Sequence, residues 1–157
     1  MPGYGVSADA FATATTYKTA ILILCDVAGD HVEVIELGMY GSGSAAAADR
    51  QHRASFTFSS HATDGTTTAV TPEPLEQYAI AALPTVGIEA SAEPTTYDAA
   101  SLAPVSFSFN QRGGMRWARP RGEGVHVRNG DTTPDAGWKV LSDAAGEIDA
   151  NLIFWTA

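Results

Sequence analysis

Several features that mark particular classes of protein are missing from this sequence. Its one cysteine, Cys25, has no partner for an intrachain disulfide, so the fold needs no oxidising compartment, and its place at the end of an apolar run predicts a buried thiol. The longest continuous apolar run, residues 20–25, is far too short to span a bilayer, and residues 1–14 lack the basic and apolar regions of a signal peptide. We therefore expect a soluble chain, or one within a soluble assembly, with no membrane partner.

Basic charge is also scarce. The chain has 9 Lys and Arg against 18 Asp and Glu, a formal net charge of −9, and only 17% of its residues are charged. A body this acidic repels phosphate backbones, so we expect no nucleic-acid partner. The length of 157 residues and the hydrophobic share of 45% predict one domain with a real core. Low charge suits a protein whose surface is partly covered by neighbours.

Residues that carry out chemistry form no recognisable site in the sequence. There is no G-x-S-x-G motif, no glycine-rich phosphate loop, and no pair of histidines at ligand spacing within one strand or helical turn. Glu33 and Glu36 are separated by an odd number of positions, so an unbroken strand would direct them to opposite faces. We expect no enzymatic activity, no cofactor and no metal site.

The basic residues that are present cluster in one segment. Five arginines lie within seventeen positions: Arg112, Arg116, Arg119, Arg121 and Arg128. Either they pair with the surplus carboxylates of their own domain, or they form a contact patch for an acidic partner. The sequence leaves both interpretations open.

Hydrophobic periodicity predicts an almost entirely β structure. Residues 105–110 alternate strictly between apolar and polar, and residues 17–26 form a compact apolar run typical of a buried strand. In 31–40 the apolar parity shifts by one position after Val34, which predicts a β-bulge or a bend. Residues 75–83, which end at Pro84, are the one helix candidate.

These elements amount to eight or nine short strands with a turn signal about every ten residues. They favour an all-β, antiparallel β-sandwich, first a jelly roll and second a Greek-key barrel, with one short helix. We expect residues 1–16 to form an extended N-terminal arm or a loosely held edge strand, and 17–157 to form a single sandwich domain. Most aromatic residues should pack in the core, whereas Trp138, which follows a loop, is the one we expect to be exposed.

The order of several short motifs resembles a known group of proteins. Along the chain the motifs are KTAILIL, EVIELG, RASFTF, TTTAVTPEPL, AEPTTY and FNQRGGMRWARPRGEG. Together they resemble the small virion structural proteins of tailed bacteriophages, over residues 17–128. The resemblance implies a head-decoration or auxiliary capsid protein. Within the last motif Arg112 and Arg116 can each make forked pairs with carboxylates, and Glu36 and Glu93 are the partners we expect.

Two functions of different class compete. A decoration or cement protein would form a homo-oligomer, with a trimer favoured, and bind the major capsid protein or other virion proteins on the capsid surface after assembly in the host cytoplasm. The alternatives are a glycan- or receptor-binding head-fibre module and a tail or connector component. Burial of both Trp117 and Trp138 would favour cement over a glycan-binding module. The interface candidates are Arg112, Arg116, Glu36, Glu93, Trp117 and Trp138.

Overall fold

The strands of this protein are seen in a computed structural model that describes residues 2–25, 31–41, 49–60, 65–76, 84–94, 103–128 and 134–156. Within these ranges the chain forms twelve strands and no helix. They are β1 (Gly3–Thr13), β2 (Lys18–Leu24), β3 (His31–Gly41), β4 (Gln51–Ser60), β5 (Thr66–Val70), β6 (Glu73–Pro74), β7 (Thr85–Ala92), β8 (Val105–Asn110), β9 (Met115–Ala118), β10 (Val125–Arg128), β11 (Pro134–Ser142) and β12 (Gly146–Thr156).

The strands form two antiparallel sheets of six strands each. Sheet A has the order β10-β3-β12-β1-β6, and β9 pairs with β3 on the same side as β10. Sheet B has the order β5-β7-β2-β11-β4-β8. The predicted all-β, sandwich-like class is confirmed, since one continuous core cluster takes its side chains from both sheets.

Strand β2 shows why the apolar run near residue 20 lacks alternation. Ile21 and Ile23 belong to the core cluster, while Leu22 and Leu24, which point to the other face of the strand, are also buried. A strand that is buried on both faces has no solvent side to place polar residues on. Its sequence therefore reads as a continuous hydrophobic run.

The phase change predicted in residues 31–40 is a real irregularity of sheet A, and it lies in β3. Along the pairing of β12 with β3, Ile153 lies opposite Glu36 and Phe154 lies opposite Val34, so Ile35 is the extra residue. This bulge lets Val34 and Leu37 both enter the core although they are three positions apart.

Two expectations need correction. The segment predicted as an extended arm or a loosely held edge strand contains β1, which pairs with β12 on both sides of an irregularity between Ala8 and Phe11. It buries Tyr4 and Phe11, so it is a strand of sheet A and not an arm. The partner of β1 is the last strand of the chain, so this pairing is not visible in the local sequence. The helix predicted for 75–83 is absent from the described residues: Leu75 and Glu76 form a bend, and 77–83 lie outside the described ranges.

Candidate functional site

The cluster of arginines predicted from sequence lies along one border of sheet A. We call this border the arginine edge: it comprises β9, β10, the turn between them, and the turn before β9, and it carries Arg112, Arg116, Arg119, Arg121 and Arg128. Both strands pair with β3, whose outward side chains therefore lie beside the arginines. The arginine side chains are exposed, so a partner molecule can reach them.

Arg116 and Glu36 form a forked ion pair on this edge. Arg116 Nε donates to Glu36 Oε1 at 2.9 Å, and Nη2 donates to Oε2 at 2.6 Å. Glu36 is largely shielded, while the Arg116 side chain is 60% exposed. Hydrogen bonding to Arg116 holds the pKa of Glu36 below its ordinary value, because the bond favours the charged carboxylate. The pairing expected from sequence is present for these two residues.

Glu33, on the same strand, accepts hydrogen bonds from the backbone of the turn between β9 and β10. Its Oε1 accepts the backbone N–H of Gly122 at 2.6 Å and that of Gly124 at 2.9 Å. The carboxylate is buried and ties the turn between β9 and β10 to β3. Gly124 lets the turn lie close against β3, because a Cβ at this position would lie 2.3 Å from the carbonyl oxygen of Val34.

The other arginines also contact their own domain. Arg112 pairs with Asp49 at 3.0 Å, with both side chains mostly exposed. The guanidinium of Arg121 lies 4.9 Å from the ring centroid of Trp155, a cation–π contact. The self-pairing interpretation thus holds for Arg112 and Arg116. Exposed pairs of this kind add little stability, and their guanidinium groups stay accessible to solvent.

The remaining interface candidates lie elsewhere. Glu93 follows β7 on sheet B, and its carboxylate accepts the backbone N–H and the hydroxyl of Thr19, which fastens the end of β7 to β2. Trp117 is partly buried and packs against the core from β9. The structure therefore brings together Glu36 and Arg116 but separates Glu93 from them.

The expectation that Trp138 is exposed was wrong. Its side chain is completely buried in β11, and its indole Nε1 donates to the carbonyl oxygen of Gly38 at 3.1 Å. Because Gly38 belongs to β3, this hydrogen bond joins sheet B to sheet A across the core. Trp138 follows a loop in sequence, but it is already the fifth residue of its strand.

A histidine pair that sequence spacing could not reveal lies at the end of the arginine edge. His31 Nε2 and His126 Nδ1 are 2.9 Å apart, and the two residues come from β3 and β10. Arg128 Nε donates to His31 Nε2 at 3.3 Å. Burial, Arg128 and His126 lower the pKa of His31, while Glu33 opposes the shift. The signal was missed because 95 residues separate the two histidines.

A second histidine lies against a serine but is closed to substrates. His52 Nδ1 and Ser142 Oγ are 2.6 Å apart, and both residues are buried. The His52 ring stacks on Phe109 with ring centroids 5.0 Å apart. Nucleophilic catalysis needs a serine that a substrate carbonyl can approach. We interpret this pair as a tie between β4 and β11.

A cleft of about 430 Å³ lies at the opposite border of sheet A. Its lining includes Gly5 and Ser7 of β1, Ile153 of β12, and Pro74 and Leu75 at the end of β6. Leu75 is 51% exposed. The cleft has mostly aliphatic and backbone walls and no aromatic lining residue.

Within the described ranges, no group of three or more His, Cys, Asp or Glu side chains is placed to hold a metal ion. In the same part of the chain no helix has the length and apolar character needed to cross a membrane. Comparison of the chain with protein-family models, curated proteins and solved structures gave no match.

Proposed function

We propose that nine of the strands form the eight positions of a jelly roll, with β9 and β10 sharing one position, and that the chain is a structural virion protein. The observation that carries this proposal is a nested pattern of pairing. In chain order the eight positions are filled by β1, β2, β3, β4, β8, the pair of β9 and β10, β11 and β12. The first pairs with the last, the second with the seventh, the third with the sixth and the fourth with the fifth.

Such nesting is what a long antiparallel hairpin produces when it rolls up into two sheets. The two further pairings, β12 with β3 and β11 with β4, close the roll into sheets A and B. Strands β5, β6 and β7 lie within the connection from β4 to β8 and extend the sheets beyond the eight. Jelly rolls occur in viral capsid proteins, lectins and cupins, so the topology alone leaves these classes open.

The filling of the core favours a structural role over a ligand-binding one. The fully buried side chains include Trp138, Phe56 and Phe154, which fill the space between the two sheets with large aromatic groups. Trp117 is also packed against the core. In the part of the chain that the structure describes, the exposed large hydrophobic residues are Tyr40 and Leu75, which do not make an aromatic platform for a sugar ring.

We propose more specifically a capsid decoration protein of a tailed bacteriophage. It would act as a homo-oligomer, with a trimer favoured, bound to the major capsid protein or a neighbouring virion protein. The arginine edge is the contact that we assign to an acidic capsid surface, because it concentrates cations on a chain with a net charge of −9. The motif resemblance over residues 17–128 supports the same role.

The test is addition of the purified protein to isolated phage heads that lack it. We expect native mass spectrometry to show a symmetric oligomer, and electron microscopy to show saturating binding at regular lattice positions. Arg119→Glu on the arginine edge should weaken binding by about tenfold or more. Arg53→Glu makes the same charge change on the exposed side of β4 and should bind like the wild type.

A monomer that leaves the heads bare would overturn the decoration proposal. If the protein binds the heads in a regular array but Arg119→Glu and Arg53→Glu weaken binding equally, the decoration role stands. The arginine edge is then not the surface that contacts the capsid. Binding to a glycan array or to purified tails, with bare heads, would instead select the head-fibre or tail alternative.

A further inference from the structure

The histidine pair at the β3–β10 border has the geometry of two metal ligands. In the register of this strand pair His126 lies opposite Glu33 and Arg128 lies opposite His31, so the two histidines are diagonal neighbours on the outer face of sheet A. Diagonal side chains on one face lie within reach of each other when they are long or aromatic. The ring centroids are 5.1 Å apart, and solvent reaches the His31 Nε2–His126 Nδ1 contact.

The hydrogen bond from Arg128 assigns the protons of the pair. Arginine only donates, so the bond from Arg128 Nε requires a lone pair on His31 Nε2. His126 Nδ1 then carries the hydrogen that is directed at the same lone pair. His31 is therefore held as a neutral imidazole whose Nε2 lone pair is directed at these two donors on the exposed face of the sheet. The neutral imidazole is the form in which histidine binds metals.

We propose that His31 Nε2 and His126 Nδ1 bind one divalent transition-metal ion, with water in the remaining positions. Two nitrogens 2.9 Å apart, each at a metal–nitrogen distance of about 2.05 Å, subtend an angle of about 90° at the metal. Tetragonal ions such as Cu²⁺ and Ni²⁺ place adjacent ligands at this angle, whereas tetrahedral Zn²⁺ would require the nitrogens to separate to about 3.3 Å. Cu²⁺ also binds nitrogen ligands most strongly among the common divalent ions.

The neighbouring charges set the strength of this site. Glu33 lies opposite His126 in the register of the strand pair, and its negative charge, which acts on His31, favours a bound cation. Arg128 opposes it, both by its charge and because its Nε–H occupies the lone pair that the metal needs. On binding, the hydrogen on His126 Nδ1 must leave for solvent and the ring must take up one at Nε2, so no net proton is released from a neutral pair.

The test is a Cu²⁺ and Ni²⁺ titration of tag-free protein at pH 7.5, followed by isothermal calorimetry and, for Cu²⁺, by electron paramagnetic resonance. We expect one saturable site per chain with hyperfine splitting from two nitrogens. His31→Ala and His126→Ala should each weaken binding by about tenfold or more. Arg128→Gln should tighten it severalfold, a gain that a merely structural role for the arginine does not produce.

His61→Ala gives a matched control with the same change of residue type, since His61 plays no part in the proposal, and it should bind like the wild type. A second readout covers variants that fold poorly: Ni²⁺ should raise the melting temperature of the wild type and of Arg128→Gln, but not of His126→Gln. Absence of saturable binding, or binding that either histidine variant leaves unchanged, would overturn the proposal.

Discussion

Glu33 and Glu36 point to the same side of sheet A although three positions separate them in one strand. In a regular strand they would lie on opposite faces, but the bulge at Ile35 resets the alternation between them. As a result, one carboxylate holds the turn between β9 and β10 while the other holds Arg116 of β9. The bulge thus lets one strand fasten the arginine edge at two points.

The two carboxylates should differ sharply in their effect on stability. Glu33 is buried and accepts two backbone N–H groups, so Glu33→Ala leaves both donors without a partner and should lower the free energy of unfolding by about 1–3 kcal/mol. Glu36 pairs with an exposed arginine, so Glu36→Ala should cost less than about 1 kcal/mol. Urea unfolding of both variants measures the difference, and equal losses would contradict the assignment.

Trp138 should be the most costly single truncation among the tryptophans. Trp138→Ala removes a completely buried side chain and the hydrogen bond to Gly38, so we expect a loss of about 3–5 kcal/mol in the free energy of unfolding. Tyr40→Ala, at a 40% exposed aromatic residue, should change it by about 0.5 kcal/mol. Chemical denaturation gives both values. A tolerated Trp138→Ala would show that the cross-sheet contact is not part of the core.

Replacement of Gly124 should lower the stability of the fold for a steric reason. A Cβ at this position would lie 2.3 Å from the carbonyl oxygen of Val34, which is backbone and cannot move aside without opening β10 from β3. We expect Gly124→Ala to cost about 1–3 kcal/mol. At Gly113 the nearest atom would lie at 3.7 Å, so Gly113→Ala serves as the matched control and should be within about 0.5 kcal/mol of the wild type. Thermal melts of the two variants compare them directly.

Stability should fall on mild acidification. Burial lowers the pKa of His52 from its ordinary 6.5, so below pH 6.5 the unfolded chain takes up a proton that the folded chain does not. The free energy of unfolding should therefore decrease as the pH drops from 6.5 until His52 itself protonates in the folded state. Denaturation midpoints between pH 7.5 and 5 measure this slope. In His52→Asn the free energy of unfolding should depend less on pH over this range. An unchanged slope would show that other groups cause the pH dependence. His31 is one such group, because its pKa is also lowered.

Much of the local structure was predictable because side-chain alternation is a property of neighbouring residues. The strand at 105–110, the buried run of β2 and the irregularity after Val34 all follow from the period of two and its interruption. Glu36, the partner of Arg116, was also among the residues expected to pair with the arginines. The burial of Trp138 was not predictable, because it depends on β3 of the other sheet, which lies across the core from Trp138.

The sequence by itself determined the all-β class, the lack of recognisable catalytic motifs and the segment that carries the arginines. Only the tertiary structure decided that residues 3–13 pair with β12 as a strand of sheet A, that β3 fastens the arginine edge at two points, and that His31 meets His126 across 95 positions. The physical reason is the range of the interactions. Alternation is set within a few residues, whereas antiparallel pairing in a nested sandwich joins strands that are far apart in the chain.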